Sequence, residues 1–401
     1  MRKVWWLLGT VVSVLVLVPL ALIATGTIGA YTVETVLYSL TGYGLPSAAQ
    51  PSLNDRYKVP DGFSVSLYAP DLRSARLLRF TPNGDLLVSR PSVGDVVVLH
   101  RDEDGDGVAD GMSTLLSDLR KPRGLDLVDG WLYVAESTQV GRVRYDAQNR
   151  ALAGSYTVII DGLTGNGGHG QKSLRIGPDK KLYLSQGSTC NVCVEEDERR
   201  ATMTRFDLDG GNPELIATGL RNTVGFDWAP WSGELYGTDN GRDMLGDEFP
   251  PCELNRIVEG KFYGWPYFNG DNVPDPDMGS DPLAGKRSPT APVHDFRAHN
   301  APLGMRFIDG AGLPPAFARS ALVALHGSWN RSEADGYKVV SLHFSGEPGE
   351  ERIEERSFFD GLLVDGTISG RPVDVTQGPD GAIYISDDYA GAIYRVSYTG
   401  E

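Results

Sequence analysis

The stretch VDVTQGPDGAIYISDD, Val373 to Asp388, decides the fold. It reads as an apolar strand, a Pro-Asp-Gly turn and a second strand in which apolar and polar residues alternate with period two. The same sentence is written at GLDLVDGWLYVAES (from Gly124), SLRIGPDKKLYLSQG (from Ser173) and GFDWAPWSGELYGTDNG (from Gly225). It returns at LLRFTPNGDLLVSR (from Leu77) and GMRFIDGAGLPPAFARSALVALHG (from Gly304). The six starts are 47, 49, 52, 79 and 69 residues apart, which is one propeller blade per unit with two later insertions. A further strand follows most copies, as in GRVRYD at Gly141 and KVVSLHF at Lys338. The expected fold is therefore all-β, a six-bladed β-propeller over residues 59–401, with FSVSLYA at Phe63 supplying the strand that closes the ring. A β-sandwich also turns regularly, but it requires no sixfold Pro-Asp-Gly repeat.

Composition agrees. Glycine supplies 49 of 401 residues, as a chain full of tight turns requires, and 41% of residues are apolar, enough for a packed core. A net charge of −16 repels a phosphate backbone and excludes nucleic acid as a partner. Three cysteines cannot build a disulfide scaffold. Cys190 and Cys193 form a C-x-x-C followed by Val194, which excludes covalent haem attachment and favours a short-loop disulfide over a reduced pair or a weak metal site, with Cys252 left over.

At the N-terminus, Arg2 and Lys3 precede an uncharged run to Val33 whose most apolar part, Val4 to Ala24, is long enough to cross a bilayer. We expect residues 1–33 to be a retained transmembrane signal anchor, with cleavage as the alternative, residues 34–58 a linker, and the propeller in the periplasm or another extracytoplasmic space. The segment from Gly264 to Phe296, rich in Pro, Gly and Asp, reads as a long ordered loop over one face.

Candidate chemistry sits just before, or at the end of, strands of the repeat. GNGGHGQKS presents His169 from a glycine-rich loop as a general base, and GLRNTVGF adds Arg221 and Asn222. HGSWNRSEADGYKVV brings His326, Asn330, Arg331 and Lys338, and GRPVDV brings Arg371. Fixed cations recurring at one blade level suit a small anion carrying several carboxylates. DEDGDGVADG alternates Asp102, Asp104, Asp106 and Asp110 with Gly105 and Gly107, as calcium loops do, although Ser113 stands where an EF-hand carries its bidentate Glu; a solvated acidic turn is the alternative. A second oxygen-rich loop runs from Asp239, with the carbonyls of Gly241 and Arg242 as cation ligands.

Together, GGHGQKSLRIGPDKKLY, GLRNTVGF, the DNGRD to ELN loop followed by FYGWP, HGSWNRS with GYKVV, and RPVDVTQGPDGAIYISDD resemble the pyrroloquinoline quinone (PQQ) dependent sugar dehydrogenases. Within them the chain resembles the membrane-anchored sorbosone dehydrogenase type rather than soluble glucose dehydrogenase. The resemblance runs from Val59 to Tyr398. It implies PQQ and Ca²⁺ on one face of the propeller, His169 and Arg221 as catalytic groups, and Asn222, Asn330, Arg331, Lys338 and Arg371 as cofactor ligands. Gly241 and Arg242 correspond to the cofactor's calcium loop, with either Asp247 or Glu253 at its acidic position. It further implies a small sugar or sugar-aldehyde substrate and an external electron acceptor, since no haem motif is present. Two positions depart from the soluble glucose dehydrogenases: Ser188 replaces the Asp that orients the base, and Val373 replaces one of a pair of arginines. A calcium-stabilised propeller that only binds a ligand, and a propeller lactonase, are the competing readings.

Overall fold

In the computed structural model, residues 56–347 and 349–400 are described. They form six sheets around one axis, as the repeat requires, each built on four antiparallel strands; blades two and three each add a fifth strand, and two short two-stranded pairs lie outside the blades. The innermost strands are Leu78–Phe80, Gly124–Val128, Lys172–Ile176, Thr223–Trp228, Pro302–Phe307 and Pro372–Gln377, and each quoted repeat forms the inner two strands of one blade. The ring closes as expected. Phe63–Ala69 pairs with the last strand, Ala392–Tyr398, from Phe63 opposite Tyr398 inward, so blade six is built from both ends of the domain.

Each interface between neighbouring blades carries its own apolar cluster. Leu87, Val98, Leu132 and Val143 fill the space between blades one and two, and Leu322, Val339, Ile385 and Tyr394 fill that between five and six. Both faces of each sheet are covered, so the middle strands are near-continuous apolar runs, as in Asp95–His100 and Ser320–Leu325, and alternation is not their dominant pattern. Near the axis the strands crowd. A Cβ at Gly225 would lie 2.2 Å from the Leu303 carbonyl oxygen, and one at Gly304 would lie 2.2 Å from an Asp374 carboxylate oxygen, so only glycine fits.

Below those glycines the inner strands carry an arc of alternating charge: Arg79, Asp126, Arg175, Asp227 and Arg306, one from each of blades one to five. Asp126 meets Arg79 at 2.7 Å and Arg175 at 3.7 Å; Asp227 meets Arg175 at 3.0 Å and Arg306 at 3.9 Å. The carboxylates also accept N–H groups across blade boundaries, Ile176 onto Asp126 at 2.7 Å and Phe307 onto Asp227 at 3.0 Å. Charges that would be costly alone are thus paired and hydrogen-bonded.

Because inner strands all run in the same sense, the loops before them and those after second strands gather at one end. The DEDGDGVADG loop follows a third strand, Asp95–His100, and lies at the other end. The insertion after blade four's third strand, expected as a loop over one face, instead wraps the outside of blades three and four and supplies strands: Lys261–Phe262 runs parallel to Ala217–Thr218, and His294–Phe296 completes blade four. The expected anchor, residues 1–33, and all but the last three residues of the expected linker lie outside the described residues; among the described residues no helix is long and apolar enough to cross a membrane.

Candidate active site

At the loop-rich end, the axis opens into a cavity of about 290 Å³. Of the residues singled out in the sequence, it brings together His169, Arg221, Asn222, Gly241, His326 and Arg371. It adds residues the sequence reading did not place there: Arg76, Arg123, Gln171, Asp243, His299 and Asp388 among them. Arg76 and Arg123 had a signal. They precede the inner strands of blades one and two by one or two residues, as Arg221 and Arg371 precede those of blades four and six. Blade phase therefore predicts all four guanidiniums.

His169 is held in one orientation. Its Nδ1 lies 2.8 Å from Ser188 Oγ, and the single Ser188 hydroxyl proton goes to the Cys190 carbonyl at 2.7 Å. Ser188 can then only accept, so Nδ1 carries the imidazole proton and Nε2 keeps its lone pair. Burial, with the nearby Arg221 charge, pushes the imidazole down to about 3, so the ring is neutral at ordinary pH. Beneath it, buried Arg200 donates to the carbonyls of His169 at 3.0 Å and Ser188 at 2.8 Å, and buried Lys172 donates to those of Thr164 at 2.9 Å and Gly170 at 3.1 Å. The glycine-rich loop is thereby pinned by its backbone.

Arg221 is fixed by its own hydrogen bonds. Nη1 reaches the carbonyls of Asn240 at 3.0 Å and Gly241 at 2.8 Å, while Nη2 meets Asp243 at 3.0 Å. Asn222 receives Gln171 Nε2 at 2.9 Å, and Gln171 in turn receives Arg123 at 3.0 Å. Under this row, buried Asp239 accepts the Asn222 N–H at 2.6 Å; burial raises it and its cross-strand neighbour Glu253 above the ordinary carboxyl range, Glu253 further through the Asp239 charge.

On the opposite wall, Arg371 Nη2 donates to His326 Nδ1 at 2.9 Å, and His326 Nε2 and Arg76 meet the two oxygens of Asp388, each at 3.1 Å. Burial alone would raise Asp388, but His326, Arg371 and Arg76 hold it well below the usual carboxylate range. Burial and the Arg371 charge push His326 down to about 4. Four guanidiniums thus face the cavity against two carboxylates, an arrangement that attracts anions.

The remaining candidates lie elsewhere. Arg331 packs on the loop at residues 247–248, donating to the carbonyl of Asp247 and to Glu248 at 2.6 Å. The Arg242 side chain ties the blade-four insertion, with both oxygens of Asp275 at 2.8 Å and Asp277 at 2.9 Å. Lys338 opens the strand Lys338–Ser345, and Asn330 is buried with both side-chain polar atoms unpaired among the described residues; neither lines the cavity. Asp102, Asp104 and Asp110 bring carboxylate oxygens within 4.8 Å of one another at the far end, and Asp106 in the same loop accepts the Val108 N–H at 2.8 Å. Cys190 and Cys193 are disulfide-bonded, and Cys252 is a free, buried thiol in the cavity wall.

Comparison with known proteins gives a consistent result. The TrAA12-like family matches residues 57–255 and 277–399. A protein of Borreliella burgdorferi without an assigned function is 31% identical over 363 residues, covering 87% of this chain and 93% of that one. The pyrroloquinoline quinone-dependent pyranose dehydrogenase of Coprinopsis cinerea is 25% identical over 89% of this chain, which spans 56% of that relative's length. Among solved structures, the Trichoderma reesei carbohydrate-active enzyme of family AA12 superposes with a TM-score of 0.74 at 21% identity, over 88% of this chain and 99% of the other.

Proposed function

This chain belongs to the TrAA12-like family within the PQQ-dependent sugar dehydrogenases, and from that premise we propose that it oxidises an aldose, sugar alcohol or sugar-derived aldehyde of the sorbosone type, with PQQ and Ca²⁺ in the axial cavity. One observation carries this reading: the lone pair of His169 Nε2 belongs to a cavity whose wall holds four guanidiniums.

The residues present fit the cofactor. Arg76, Arg123 and Arg371 suit its carboxylates, Arg221 and Asn222 its quinone oxygens, and the Gly241 carbonyl and Asp243 carboxylate are hard oxygen donors for calcium. When bound, the quinone supplies a hydride acceptor. The chain supplies the proton chemistry: His169 Nε2 takes the proton of a substrate hydroxyl or aldehyde hydrate, while Ser188 keeps the Nδ1–H in place and stabilises the imidazolium that forms. Ser188 thereby fills the orienting role of the Asp found in the soluble glucose dehydrogenases. Arg221, immobilised by three carbonyl contacts and Asp243, offers a fixed positive charge to growing negative charge. Reoxidation falls to an external electron acceptor.

We place the propeller outside the cytoplasm, tethered by residues 1–33; the charge pattern of that segment and the Cys190–Cys193 disulfide support this. Fractionation with protease protection of the full chain tests it: release of the uncleaved chain as a cytosolic protein refutes it.

The function is tested by titrating the protein with PQQ and Ca²⁺ while following cofactor absorbance and dye reduction with a panel of aldoses and sugar aldehydes. Stoichiometric binding with sugar-dependent reduction is expected. Absence of PQQ binding overturns the reading and leaves a binding propeller.

A further inference from the structure

Four residues fasten both arms of the site. The Cys190–Cys193 disulfide closes a loop after the second strand of blade three, and its first carbonyl, Cys190 O, ends the relay that fixes the His169 ring. The next residue serves the other arm with every polar atom of its side chain. Asn191 Oδ1 accepts from Arg221 Nη2 at 2.8 Å and from the Asp243 N–H at 2.8 Å, and its Nδ2 donates to the Asp243 carbonyl at 3.0 Å. Its own carbonyl accepts Arg221 Nε at 3.0 Å and the Trp265 indole N–H at 3.1 Å. One edge of the Arg221 guanidinium, Nε with Nη2, rests on Asn191, with Nη2 shared with Asp243, and this helps to set the plane of the group. The backbones of His169 and Ser188 are held separately by Arg200, and Arg221 Nη1 by the carbonyls of Asn240 and Gly241, so loosening this loop releases the imidazole and one edge of the guanidinium without releasing the strands.

We propose that the Cys190–Cys193 loop, with Asn191 at its centre, is the positioning element that sets His169 and Arg221 relative to each other, so that the oxidation state of the two cysteines tunes the site. The catalytic part of this inference rests on the function proposed above; the positioning part rests on the hydrogen bonds alone. Both cysteines are partly exposed, within reach of a small dithiol. Such a reductant passes two electrons to the Sγ–Sγ bond, which breaks to two protonated thiols as the reagent closes its own disulfide. The open loop regains backbone freedom, and displacements on the scale of an ångström at a reacting group cost up to a hundredfold in rate, about 10².

The test uses the folded full chain, first without cofactor. Imidazole ¹⁵N resonances, with His169 assigned by its loss in His169→Ala, are recorded before and after reduction, with a thiol assay to confirm two new thiols and circular dichroism to confirm the fold. A single Nδ1–H tautomer is expected in the oxidised protein, and a tautomer mixture titrating nearer the ordinary histidine value after reduction. In the PQQ-loaded protein, Asn191→Ala should lower kcat roughly tenfold and leave the His169 tautomer unchanged, while Asn191→Asp, which keeps the Arg221 contact, recovers most of the loss. Two new thiols with an unaltered His169 spectrum, or an Asn191→Ala variant with unchanged kcat, overturns the proposal. If no sugar is oxidised by any form, the function fails, and the imidazole spectra still decide the positioning role.

Discussion

Two belts of charge line the same axis and do opposite work. The lower belt, Arg79 to Arg306 through Asp126, Arg175 and Asp227, alternates in sign from blade to blade, and each carboxylate sits between two guanidiniums. The upper belt carries Arg76, Arg123, Arg221 and Arg371 just before the inner strands of blades one, two, four and six, but only Asp243 and Asp388, just after second strands, stand against them. Residue type is shared; charge balance is not. In the lower belt three guanidiniums alternate with two carboxylates and tie neighbouring blades together, whereas in the upper belt four guanidiniums outnumber two carboxylates and favour an anion.

The sharpest way to break this comparison is to remove one key group from each belt. His169→Ala should cost about 10² to 10⁴ in kcat with cofactor affinity retained, measured by dye reduction and absorbance titration; unchanged turnover removes His169 as the base. Asp126→Ala should do the reverse. It leaves Arg79 and Arg175 without their shared carboxylate, and urea unfolding should show a loss of about 3–5 kcal/mol while the folded fraction binds PQQ normally. Should Asp126→Ala instead weaken cofactor binding at equal stability, the two belts are not functionally separate. Arg371→Ala should weaken PQQ about tenfold to a hundredfold, the scale of a hydrogen bond to a charged group, and flatten the salt dependence of binding.

The smallest effect concerns the acids beneath the upper belt. Glu253 is raised above its ordinary value, so the folded state holds a proton that the unfolded state has lost, and stability falls as pH rises through that window. Glu253→Gln should therefore raise Tm at pH 8 more than at pH 5; an equal shift at both refutes the protonated carboxyl. His169 and His326 act in the other sense. Pushed down to about 3 and about 4, they stay neutral in the fold while the unfolded chain protonates them, so stability falls as pH drops below about 6.5.

Much of this was legible in the linear chain because a propeller is a local repeat. Blade count and the closing strand at Phe63 follow from turn chemistry and period-two patterning, the disulfide from the C-x-x-C spacing and the His169 loop from its glycines, all of which depend on near neighbours. Of the basic residues, Arg221 and Arg371 stand directly before inner strands and reach the cavity. Arg331 and Lys338 belong to the loop and third strand of blade five, where blade phase gives no axial direction, and Arg331 turns to Glu248. The sequence alone determined the ring and the kinds of side chain at its mouth, since both are written within single repeats. Which cations face an anion and which face a carboxylate was decided only when six blades met around one axis, because much of the charge balance is set by neighbours on other blades, as between Arg175 and Asp227 or Arg76 and Asp388.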